Sequence, residues 1–187
     1  MDKKEIKIYS AMTIAVFAFF ALRGYYSAEN YSEMATGMLE EFRNEMSFIL
    51  NAGPVAIFFI ILINNSVKTF LFMLSGFLFG LPPFLLLAFN GIFLGIVANI
   101  VSKSEGWRFL LAGIIPHGIF EIPAIILSMN YGLWLGHGFY RKLRFKEPFR
   151  EKLSVAIRFF SRIILPLLII AAIVEAFITP AILDNFL

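Results

Sequence analysis

Two residues of this 187-residue chain, His117 and Glu121, have the types and the spacing to do chemistry. They lie four positions apart in 113–136, GIIPHGIFEIPAIILSMNYGLWLG, so on a helix they share one face. The stretch is apolar enough for lipid, and an ionisable side chain at membrane depth points by default to a functional site. Three chemistries suit the pair. It can be a hydrogen-bonded brace for a broken helix, since a buried polar group needs a partner. It can hold a divalent metal such as zinc, with Glu175, an asparagine or a second protomer completing a ligand set that two residues leave short. It can pass protons between a carboxylate and an imidazole, as pumps do.

Glu175 either snorkels to water near a helix end or faces His117 across the bundle. Among the polar intramembrane residues, Asn64 and Asn65 read first as caps of a short cytoplasmic turn. Asn90, beside Gly91, reads as a point of close helix approach. Ligand binding is the alternative for each of the three. His137 borders a basic loop and is expected to be solvated.

Other chemistries are absent from the sequence. There is no cysteine, hence no thiolate nucleophile, disulfide or Cys-based metal site. Walker loop, dinucleotide fingerprint, nucleophile elbow and HExxH are missing, so the chain is expected not to be an enzyme. An intramembrane hydrolase with Glu121 as base and His117 as metal ligand is conceivable, but no standard spacing supports it. Nucleic-acid binding is not expected, because the basic residues fall at the membrane face.

The elements that must position these residues are membrane helices. Charged residues make up 16% of the chain, against roughly a quarter in a soluble domain, and there are 23 phenylalanines. The reading is a single integral membrane domain over 1–187, all-α, a polytopic helix bundle of about five to seven membrane segments. The first helix covers 8–22 behind Lys3, Lys4 and Lys7. A basic start and an apolar run resemble a signal peptide, but no small-x-small cleavage site follows, so the helix is read as retained. Residues 29–47, with Met34, Met38, Phe42 and Met46 at intervals of four, read as an external amphipathic helix. A second crossing is expected over 48–63 and a last one over 154–178, kinked at Pro166 and stopped by Pro180.

Between them the apolar segments are short, and Pro82, Pro116 and Pro123 read as helix breaks. At an offset of 41, Phe77–Gly95 matches Gly118–Gly136, pairing Pro82 with Pro123, Gly91 with Gly132 and Gly95 with Gly136. This suggests repeat units over 67–101 and 107–141, each a hairpin of two short helices meeting at a Pro/Gly break. Arg141, Lys142, Arg144, Lys146, Arg150 and Lys152 make 137–153 a cytoplasmic loop, on the same side as the N-terminus, and place it against anionic lipid headgroups. Counting crossings also puts 102–108 inside, so 107–136 is expected to leave and return on one side.

Asn64-Asn65, Gly76, Gly80, Asn90-Gly91 with Gly95, Pro116-His117-Gly118 with Glu121, Gly132 with Gly136, and Glu175 form a pattern. It resembles the stage II sporulation protein M family of integral membrane proteins over about residues 42–180, and its most specific part is PHGxxE after NGxxxG. In spore-forming bacteria the family's namesake resembles a membrane anchor for a complex of peptidoglycan hydrolases. Many relatives occur in organisms that neither sporulate nor build that wall. The resemblance implies a membrane scaffold of the cell membrane, homo-oligomeric (a dimer) and organising other membrane or envelope proteins within the lipid bilayer. A different class of function is a small oligomeric ion or solute transporter, with its site at the helix breaks.

Overall fold

The computed structural model describes residues 3–28, 37 and 53–183. Five helices long and apolar enough to cross a membrane account for nearly all of them: α1 (Lys3–Ser27), α2 (Pro54–Leu74), α3 (Leu81–Ser104), α4 (Trp107–Phe145) and α5 (Arg150–Leu183). The expected all-α membrane bundle is what forms. Apart from Gly37, the segment read as an external amphipathic helix lies outside the described residues.

Each boundary has a local cause. Pro54 opens α2 behind Gly53 at φ 82°, using proline where a helix has no partner for an N–H anyway. A 3₁₀ turn at Ser75–Phe77 follows α2, then Phe79 and Gly80 take the left-handed region in succession at φ 58° and 76°. The break therefore lies at residues 75–80, and Pro82 sits in the first turn of α3, where it starts a helix and interrupts none. Asn64 and Asn65, expected at a cytoplasmic turn, are instead in the middle of α2.

The largest departure from expectation is α4. It runs unbroken for 39 residues through both Pro116 and Pro123, so there is no hairpin over 107–136 and no second broken unit. Each proline deprives one carbonyl of its donor, whereas a turn within hydrocarbon would expose several backbone groups, each costing several kcal/mol. Keeping the helix is the cheaper solution. Pro180 likewise lies inside α5, which continues to Leu183 past two π turns at Phe160–Ile164 and Val174–Ile178.

The helices run up and down. Near one end Tyr9, Gly80, Gly136, His137 and Lys152 are close to one another; at the other, Asn99 donates to the Tyr25 carbonyl at 3.0 Å and Tyr25 stacks on Trp107. The N-terminus and the α4–α5 link thus share one end, while residues 102–108 lie at the opposite end, contrary to the count that put both inside. The core joins Met73 of α2, Ala124, Tyr131 and Leu135 of α4, and Ile164 and Leu168 of α5. Large apolar side chains such as Phe19, Phe59 and Phe89 face outward, as a lipid solvent requires.

The glycines paired by the offset of 41 do a common job. A Cβ on Gly91 or Gly95 would run into the α1 backbone at Phe17 and Ala21, and one on Gly136 would meet Gly80 N at 2.5 Å. Gly76 and Gly132 likewise meet backbone to backbone. These contacts set the spacing of α1 on α3 and of α4 on the turn at 75–80, in the way small residues allow helix backbones to approach in membranes. The matching segments nevertheless differ in local structure: Phe79 and Gly80 lie in a turn, while Phe120 and Glu121 are helical.

Candidate functional site

His117 and Glu121 stand one turn apart on α4, with Nε2 and Oε2 separated by 4.0 Å. Glu175 comes from the second π turn of α5 and brings Oε2 to 2.5 Å from His117 Nδ1, at an angle off that of a linear hydrogen bond. A π turn adds one residue and so rotates the rest of the helix by about 100° relative to an uninterrupted α-helix. Asn65 of α2 completes the group, donating from Nδ2 to Glu121 Oε1 at 3.0 Å. Three helices are therefore joined by one imidazole, two carboxylates and one amide. Of the two readings for Glu175, the structure has it facing His117.

The group lies at the margin of the bundle. Side-chain exposure is 20% for His117, 25% for Glu121 and 29% for Glu175, too much for an enclosed chamber and too little for free solvation. With both carboxylates ionised and His117 protonated the group carries one negative charge, and Lys68, exposed on α2 one turn from Asn65, brings the local sum to zero.

The geometry discriminates among the three chemistries. Glu121 and Glu175 approach different ring nitrogens, whose lone pairs diverge, so as placed the two carboxylates do not converge on one imidazole nitrogen. Among the described residues no group of three His, Asp or Glu side chains is placed to hold a metal. What the arrangement can do is tie three helices together through neighbouring polar and ionic groups, or let a proton pass across the ring.

Other expected site residues are elsewhere. Asn64 is exposed on the outer face of α2, beside Phe59, Ile60 and Ile63. Asn90 donates to the Leu86 carbonyl of its own helix at 2.7 Å. Pro116 and Pro123 flank the cluster on α4, and Pro82 lies apart from it at the start of α3. His137 is exposed as expected, with its Nδ1 3.1 Å from Tyr9 Oη.

A second polar site escaped sequence reasoning. Asn130 is fully buried, and its two amide ends meet Thr13 Oγ1 at 2.6 Å and Ser10 Oγ at 2.7 Å, whichever way the amide is turned. Ser128, also fully buried, donates to the Thr69 carbonyl at 2.6 Å. The available signal was Ser10 and Thr13 on one side of an otherwise apolar helix, the residue types that bond between membrane helices.

With this geometry in place, comparison with known proteins is informative. Residues 13–180 match the family model described as Stage II sporulation protein M. The chain is similar to a protein of Methanocaldococcus jannaschii described as uncharacterized, with 30% identity over 180 residues, covering 95% of this chain and 97% of that protein. No solved structure matches it.

Proposed function

The chain belongs to the stage II sporulation protein M family, and on that basis we propose that it is an integral membrane scaffold without enzymatic activity. It acts as a dimer that organises partner proteins in the cell membrane, with the N-terminus and residues 137–153 facing the cytoplasm. The observation that carries this reading is the convergence of His117, Glu121, Glu175 and Asn65 from α2, α4 and α5, with Asn65 donating to Glu121 and Glu175 lying against His117. Groups already engaged with one another brace a platform; a transport site would keep its polar groups available for a solute.

The cluster's exposed margin agrees with a subunit boundary, since a second copy covering it would remove partly ionised groups from lipid. The positive-inside rule supports the orientation, because Arg141 to Lys152 and the N-terminal lysines occur at one end of the bundle. The test is reconstitution of the purified chain into liposomes. The scaffold reading expects no saturable flux of ions or small solutes above protein-free vesicles, and a Glu121→Gln variant indistinguishable from the parent. Saturable flux abolished by Glu121→Gln would replace it with the transporter reading.

A further inference from the structure

The arginines of α5 carry an inference independent of the scaffold reading. Several cations near the α4–α5 link are engaged within it: Arg141 pairs with Glu147, Lys142 lies over Phe139 and Phe149, and Lys152 lies 5.0 Å over the Trp134 ring. Arg150, Arg158 and Arg162 are different. All three are exposed, and among the described residues none has a carboxylate within ion-pair distance.

Their depth is unusual. The apolar run of α1 starts at Ile8, and α3 starts at Leu81 where Gly80 touches Gly136. Lys152 packs on Gly138 at this same level. Arg158 and Arg162 follow Lys152 by six and ten residues, so they lie about 9 and 15 Å further along α5, inside the slab the other helices define. Ile157 and Ile163, 39% and 43% exposed, adjoin them. Arg158 folds back toward the edge of the slab, its Nε donating to the Ser154 carbonyl at 3.4 Å. That is the posture of a cation reaching for an interface. Arg150, Ser154 and Arg158 repeat every four residues and line a cleft of about 390 Å³ with Glu151 and Val155.

We propose that this cleft is a binding site for the phosphate headgroup of an anionic phospholipid, with Arg150 and Arg158 as forked donors, Ser154 as a hydroxyl donor, and the acyl chains lying along Ile157 and Ile163. Guanidinium matches phosphate geometry, and two arginines against the single Glu151 leave the cleft positive. Lipid is the source of that phosphate because the deeper cations are set among apolar side chains, where the surrounding medium is acyl chain.

Native mass spectrometry of the full chain in detergent, offered phosphatidylglycerol or phosphatidylcholine, tests the site. The parent protein should retain phosphatidylglycerol with a preference of at least about tenfold, the scale of one charge-assisted hydrogen bond or more. Arg150→Gln with Arg158→Gln should abolish that preference, while Arg144→Gln with Lys146→Gln should keep it. Arg150→Lys with Arg158→Lys, which leaves the charge in place, should give an intermediate preference and guards against misfolding of the glutamine pair. Equal retention by all these variants would overturn the proposal. So would complete displacement of the lipid by millimolar inorganic phosphate, which would mark a free-anion site. A dimer mass lost only in the glutamine pair, with no lipid preference in the parent, would assign the arginines to a second copy.

Discussion

Partly exposed Glu175 and fully buried Asn130 each tie a neighbouring helix to α4. Glu175 is the carboxylate that lies against His117 Nδ1, which is shielded from solvent, so Glu175→Leu leaves that nitrogen without its ionic partner. An unsatisfied group of this kind costs about 1–3 kcal/mol, and the partial exposure of the pair places the expected loss toward the lower end. Asn130→Leu removes two hydrogen bonds, but Thr13 Oγ1 retains the carbonyls of Tyr9 at 2.9 Å and Ser10 at 3.1 Å. Two such bonds at roughly 0.6 kcal/mol each, the mean for interhelical bonds in membrane proteins, give an expected cost of about 1.2 kcal/mol. Both variants should therefore melt below the parent in detergent by similar amounts, about 2–5 °C for a chain of this size. An unchanged melting temperature for Glu175→Leu would mean that Asn130, and not the His117 group, is the main polar tie of the bundle.

At the scale of elements, α4 and its glycine contacts make opposite demands on substitution. Because Pro123 is exposed within an unbroken helix, Pro123→Ala restores a backbone hydrogen bond and should leave the melting temperature unchanged or raise it. Collapse of this variant in size-exclusion chromatography would show that the proline is needed to break the segment after all. Gly95→Leu should do the reverse and separate α1 from α3, because its side chain has only the Ala21 carbonyl and Tyr25 N to occupy. These elements also show what could be read from sequence. The close approach at Gly91 and the relation of His117 to Glu121 followed from residue type and spacing, as did the apolar character of every crossing. The course of α4 did not. Proline signals a break when water can take over the freed backbone groups, and in lipid that alternative is costly, so the solvent overrode the local preference. Glu175 and Asn65 joined His117 through packing between helices, and the π turn that orients Glu175 has no signature in the residues around it.

For the whole molecule, five single crossings among the described residues replace a pair of hairpins, and this fixes which links can share a compartment. α3 and α4 cross in opposite directions on either side of Gly106 at φ 88°, and α4 delivers residues 146–149 to the end where α1 begins. The two arrangements differ in one accessible fact. A hairpin returns 102–108 and 146–149 to the same side, whereas five crossings place them on opposite sides. The chain contains no cysteine, so Ser102→Cys and Lys146→Cys each create a single thiol without any prior engineering. In sealed inverted vesicles a membrane-impermeant maleimide should label Lys146→Cys if the basic link has the proposed cytoplasmic orientation that the positive-inside rule favours. Ser102→Cys should react only after the vesicles are permeabilised. Labelling of both thiols without permeabilisation would restore the hairpin. It would also break the structural argument as a whole, because the contact of Tyr9 with His137 and that of Tyr25 with Trp107 could not then mark opposite faces of one membrane.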